Sequence, residues 1–140
     1  MLRKATKADV SGISALILEN LDTLLRRKKS EIEGLIDTTW VVVEENKVVG
    51  CCILEVYSPK IAEVRSVAVK AGFRGRGIGR QLVGAALEEA QKRKVRQVLA
   101  VTSNPEWFKQ LNFGPCLNEK FALFWNGTDA EVEENWNEME

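Results

Sequence analysis

The stretch Arg74-Gly75-Arg76-Gly77-Ile78-Gly79-Arg80 alternates arginine and glycine just where a helical pattern begins. A helix N-terminus exposes unpaired backbone N–H groups and the positive end of the macrodipole, so a glycine-rich turn into a helix suits an anion. Glycine lets the backbone approach phosphate oxygens without a Cβ in the way, and Arg74, Arg76 and Arg80 add formal charge. A plain strand-to-helix connection with solvated arginines is the alternative. Two other phosphate loops fail on inspection. A Walker loop needs Lys and then Ser or Thr after its last glycine, where Arg80 and Gln81 stand, and a Rossmann fingerprint needs a glycine at the position of Arg80.

Upstream lies Ala62-Glu63-Val64-Arg65-Ser66-Val67-Ala68-Val69. A strand period of two would put Glu63, Arg65, Val67 and Val69 on one face. Glu63 is a candidate proton acceptor or else the ion-pair partner of Arg65, and Glu55 is a second carboxylate nearby in sequence. Arg65 has the planar fork that pairs two carboxylate oxygens. The cluster Arg26-Arg27-Lys28-Lys29 either serves the same end or forms a solvated helix face. With no histidine in the chain, Ser-His-Asp and Cys-His catalysis are excluded. Three cysteines, two of them the neighbours Cys51 and Cys52, match neither a disulfide framework nor a metal-ligand spacing, so no metal is expected.

The elements that must position these residues follow from periodicity. A short strand near 2–5 precedes a helix over about 7–19 capped by Thr6, with Val10, Ile13 and Ile17 on one face. A second helical stretch is expected from about Asp22 past the basic cluster. Two β-branched runs, 39–43 and 48–57, separated by Glu45-Asn46-Lys47, predict a hairpin. A further strand is expected over 62–70. Ile78, Leu82, Ala86 and Ala90, broadened by Val83 and Leu87, predict a helix over about 77–92. Residues 97–101 read as a strand. Asn104-Pro105-Glu106 signals the start of a short helix that ends near Asn112, and 121–125 reads as a last strand. The order β-α-α-β-β-β-α-β-α-β predicts a mixed α/β (α+β) domain with one sheet layer covered by helices.

Val67-Ala68-Val69 at a strand end, then Phe73-Arg74-Gly75-Arg76-Gly77-Ile78-Gly79 and an amphipathic helix, resemble the Q/R-x-x-G-x-G/A motif of the GNAT superfamily of acyl-CoA-dependent N-acyltransferases. The likeness runs from the first helix to Phe113. It implies a mostly antiparallel sheet with helices on both faces and a splayed strand pair that holds acetyl-CoA as cosubstrate. The backbone of Val67, Ala68 and Val69 would then hydrogen-bond the pantetheine arm, and the amides of Arg74 to Arg80 would wrap the pyrophosphate. Glu63 stands where many members place a glutamate base acting through water, with Glu55 as second choice. Members usually carry a tyrosine five residues before the phenylalanine that follows the short helix, and it protonates the leaving thiolate. Here that position is Phe108, which leaves water as the proton source or a weak activity. Tyr57, the single tyrosine, reads as a packing residue within reach of the site. The run 62–69 and Pro105-Glu106-Trp107-Phe108 look like the small N-acetylglutamate-synthase-like branch, which would make Arg65, and the cluster at 26–29, contacts for an amino-acid carboxylate.

At 140 residues, 45% hydrophobic, the chain fits one domain. Residues 128–140 hold six acidic and no basic side chains, so 1–127 carry 20 basic against 14 acidic, a balance of +6. The expected division is therefore a catalytic domain over 1–127 and an acidic tail over 128–140. A mildly basic body suits a small polyanion and lacks the dense stripe that nucleic acid wants. No apolar run approaches a membrane span, which makes cytoplasm the expected location. An exposed last strand could pair with a second copy as a homodimer. An acetyl-CoA sensor without catalysis, and an interaction protein using the tryptophans of the tail, are the competing readings.

Overall fold

The computed structural model describes residues 1–115 and Trp125. Its strands are β1 (Leu2–Lys4), β2 (Thr39–Glu44), β3 (Lys47–Val56), β4 (Ile61–Val69) and β5 (Gln97–Leu99). Its helices are α1 (Val10–Leu18), α2 (Lys29–Gly34), α3 (Ile78–Lys92) and α4 (Pro105–Lys109). The strands lie in one sheet in chain order, antiparallel from β1 to β4 and parallel between β4 and β5. The expected strand 121–125 falls outside the described residues, apart from Trp125.

Each sheet face carries its own core. On one side α1 and α2 bury Ile13, Leu16, Ile17 and Ile32 against Val41, Cys51 and Ala68. On the other, α3 buries Ile78, Leu82, Val83, Ala86 and Ala90 against Trp40, Cys52, Leu54 and Val64, with α4 adding Trp107 and Phe108 at the edge. The four-residue spacing of the α3 stripe is what faces it to the sheet.

Local chemistry explains most element ends. A 3-10 turn, Lys7–Asp9, leads into α1, and Asp9 reaches back to accept a hydrogen bond from the Thr6 N–H at 2.7 Å. Arg3 clasps the same carboxylate through both terminal nitrogens, at 2.7 and 2.9 Å. The hairpin loop is the two residues Glu45 and Asn46, both with positive φ, 51° and 63°, as a primed turn requires; Lys47 belongs to β3. Asn112 takes φ 68° after α4. The Phe113 N–H bonds the Phe108 carbonyl at 3.1 Å and the Asn112 N–H bonds that of Lys109 at 3.1 Å, which is the Schellman pattern. The Phe108 and Phe113 rings stack edge-on at 5.2 Å across that cap.

Two sequence expectations are corrected. No helix runs from Asp22: residues 20–24 form turns closed by Thr23 and Leu24 N–H groups on the Asn20 carbonyl, and α2 starts only at Lys29. Asp22 and Thr23 favour turns over helix interiors, and Arg27 is turned inward, 7% exposed, so the basic cluster is not a uniformly solvated helix face. The second correction concerns β4. Arg65 pairs with Ile53 and Ala68 with Cys51, so β4 spends one residue more than β3 across this interval. This bulge, with Ser66 at φ 53°, reverses the strand's alternation. Ala62 and Val64 before it and Val67 and Val69 after it pack with the α3 core, whereas Ala68 packs with the α1 core. Glu63 and Arg65 therefore do not share a face with Val67 and Val69.

Candidate active site

Strand β5 pairs with β4 only as far as Glu63↔Leu99. Beyond that rung the two chains diverge, and a cavity of about 1420 Å³ opens between Val64–Val69 on one wall and Leu99, Val101–Asn104 on the other. The loop into α3, residues 22–27 and Glu31 also line it. The bulge and the end of β5 pairing together leave the β5-side backbone groups of residues 64–69 without ladder partners on that strand.

At the loop, Gly75 and Gly77 adopt φ 78° and 81°, and an added Cβ at either would meet nothing within 4 Å. Backbone conformation demands glycine there, and the space in front of it is open. Gly79 is constrained differently: a Cβ would stand 2.9 Å from Trp107 Cζ2, so the absence of a side chain lets α4 pack on the first turn of α3. Two of the three arginines are engaged with protein. Arg74 donates to the Val69 carbonyl at 3.1 Å and to Asn20 Oδ1 at 2.7 Å, tying the loop to the end of α1. Arg76 donates to the Gly72 carbonyl at 3.0 Å, lies 4.8 Å over the Phe73 ring, and is not among the residues lining the cavity. Arg80 lines it.

A ladder of alternating charge runs across β3 and β4. Glu55 and Glu63 are direct cross-strand partners. Arg65 bridges them, with Nη1 at 2.9 Å from Glu55 Oε2 and Nε at 3.8 Å from Glu63 Oε2. The Arg65 guanidinium is held more firmly protonated than usual: burial opposes its charge, and the Glu55 hydrogen bond, then Glu63, outweigh that. Tyr57 is half exposed and is not the packing residue that its sequence context suggested. Its hydroxyl stands 2.6 Å from Glu63 Oε1 and 3.3 Å from Glu55 Oε2. Burial of the phenol and then the Glu63 carboxylate push its pKa up to about 12.

The sequence named Arg27 only as one of the basic cluster at 26–29 and gave no sign of its pairing with Ser66. Arg27 Nε donates to Ser66 Oγ at 2.8 Å, while its Nη1 lies 3.7 Å from Glu31 and its Nη2 3.7 Å from Glu55. Nη2 has no hydrogen-bond partner among the described residues. Burial, then repulsion from Arg65, draws the Arg27 pKa down, against the pull of Glu55 and Glu31. No residue-type signal marks the pair, because Val-Arg-Ser-Val reads as ordinary strand.

Glu63, Arg65, Val67, Ala68, Val69, Arg74, Gly75, Gly77, Ile78, Gly79 and Arg80 thus line one cavity, together with Phe108, while Glu55 and Tyr57 stand behind it. Left-handed glycines at a helix start, an unpaired strand edge and a long cleft fit a ligand with a pyrophosphate and an extended amide-bearing arm. Among the described residues no group of three or more His, Cys, Asp or Glu is placed to hold a metal, and no helix is long and apolar enough to cross a membrane.

Comparison with known proteins agrees with this geometry. The model of the Acetyltransferase (GNAT) family matches residues 16–110. An uncharacterized N-acetyltransferase of Chlorobaculum tepidum is 34% identical over 122 residues, covering 86% of this chain and 79% of that protein. An amino-acid acetyltransferase of Aeromonas salmonicida is 31% identical over 117 residues, covering 81% of this chain but 26% of the relative, so this chain matches only about a quarter of that longer protein. Among solved structures, Rv2747 of Mycobacterium tuberculosis, in complex with CoA and NLQ, superposes with a TM-score of 0.76 at 27% identity, covering 96% of this chain and 80% of that one. N-acetylglutamate synthase of Neisseria gonorrhoeae, complexed with coenzyme A and N-acetyl-glutamate, gives 0.77 at 20% identity over 98% of this chain and 32% of its own, a likeness of fold. With its glycine loop, splayed strands and matched family region, the chain belongs to the GNAT family of acetyltransferases.

Proposed function

We propose that this acetyltransferase moves an acetyl group from acetyl-CoA to the amino group of a small acceptor, an amino acid with glutamate as first candidate, by direct attack on the thioester. The observation that carries the reading is the meeting of two stretches of β4 in one cavity: Glu63 and Arg65 before the bulge, and after it the backbone of Val67–Val69, which has no ladder partner on β5. Bound acetyl-CoA supplies a thioester carbonyl carbon open to an amine, with the CoA sulfur as leaving group. The chain's own residues supply the rest. Backbone groups of Val67, Ala68 and Val69 hold the extended arm, and the amides from Arg74 to Arg80 receive the pyrophosphate. Glu63 takes the proton from the acceptor ammonium, directly or through one water.

Arg65, about one-third exposed at its side chain and on the same cavity wall, takes the acceptor carboxylate in exchange for part of its contact with Glu55. Arg27, on the same cavity lining, supports the reading by adding positive charge and holding Ser66 in the bulge. Phe108 occupies the position of the usual tyrosine, with its ring packed against Trp107 and Phe113, so the thiolate is protonated by water in the cleft. The amino-acid acetyltransferases among the relatives support the acceptor class.

The test is calorimetric titration with acetyl-CoA, followed by CoA release across amino acids, polyamines and peptides. The expected result is cofactor binding in the micromolar range and release with an α-amino acid, lost in Arg65→Ala chiefly through a raised KM. Turnover confined to polyamines or peptides would overturn the amino-acid assignment.

A further inference from the structure

We infer that Tyr57 is a positioning residue for Glu63: its phenol pins one carboxylate oxygen, so that the other is the one that takes the acceptor's proton. The inference rests on Glu63 being the base, as proposed above. Glu55 and Glu63 stand opposite each other on antiparallel strands, an arrangement that like charges disfavour. Two groups are wedged between them. Arg65 spends its short contact on Glu55, at 2.9 Å, and reaches Glu63 only at 3.8 Å.

Tyr57 does the reverse, standing 2.6 Å from Glu63 and 3.3 Å from Glu55. A phenol has one proton to donate, and the distances assign it to Glu63 Oε1. Glu63 is thus gripped at Oε1 and loosely held at Oε2, while its side chain is 14% exposed on the cavity wall. The groups that face it are Glu55 from β3, Tyr57 just past the end of β3, Arg65 from β4 and the apolar Leu99 from β5, with Arg27 beside Glu55.

One consequence separates this role from a surface hydrogen bond. Losing the pin should lower kcat without weakening acceptor binding, because a freed carboxylate spends less time in the productive orientation.

The experiment compares Tyr57→Phe, Glu63→Gln and the double variant. The constants kcat and KM are measured for each. In Tyr57→Phe kcat should fall about tenfold at an unchanged KM, with no further effect in the Glu63→Gln background. The ring is half exposed, so folding should survive, as checked by thermal melting. An unchanged kcat in Tyr57→Phe, or a loss of kcat that persists in the Glu63→Gln background, would overturn the role of Tyr57. Wild-type activity in Glu63→Gln would instead overturn the assignment of the base, and this inference with it.

Discussion

At Gly77 the backbone and the empty space in front of it make the same demand. A side chain there pays for left-handed φ with about 1–2 kcal/mol and projects into the open end of the cleft. Gly77→Leu should therefore melt only a few degrees lower while its acetyl-CoA Kd rises at least about tenfold, the steric loss outweighing the backbone strain. An unchanged Kd by calorimetry would remove the pyrophosphate from this loop. The glycine pattern was legible because positive φ selects residue type. Ser66, at φ 53°, shows the limit of that logic. A serine between strand formers carries no mark of a bulge, and what holds it, Arg27 Nε at 2.8 Å, comes from 39 positions away.

Among the elements, α3 and α4 were readable because their ends are written in local chemistry. Pro105 opens α4, and Asn112 closes it with the Phe108–Phe113 contact. The segment between α1 and α2 was misread because Arg27 answers to Ser66, Glu31 and Glu55, partners that local periodicity does not register. The seam between α3 and α4 invites its own test. At Gly79 even a methyl group would stand 2.9 Å from the Trp107 ring, so Gly79→Ala must push α4 outward. Overpacking of this kind costs about 1–3 kcal/mol. The expected signs are a lower Tm and a shifted Trp107 emission, and an unaltered melting curve would show that the seam yields freely.

For the whole molecule, the element order and the two-faced core follow from hydrophobic period, while the relation of the proposed catalytic carboxylate to the proposed cofactor strand does not. Stability against acid should depend on the clasp where β1 meets the start of α1. The Arg3 hydrogen bonds, and then the Thr6 N–H, hold the Asp9 carboxyl below its usual range against the opposing effect of burial. A carboxylate depressed in the folded state contributes fully above the unfolded value of about 3.9, and that contribution is lost as pH falls through the folded value. Asp9→Asn should lower stability near neutrality by on the order of 2 kcal/mol, seen as a lower Tm, with the gap to wild type closing below about pH 4. A gap that stays constant down to pH 2 would deny the clasp that role.

The bulge at Ser66 also bears on how such a chain can change over generations. A regular strand would present the residues proposed to meet the acceptor and those proposed to meet the cofactor arm on a single surface, where altering one disturbs the other. With the alternation reversed in the middle of β4, positions 63 and 65 and positions 67 and 69 belong to opposite layers of the molecule. New acceptors can then be explored by substitution on one layer while the machinery for the shared donor is inherited intact on the other.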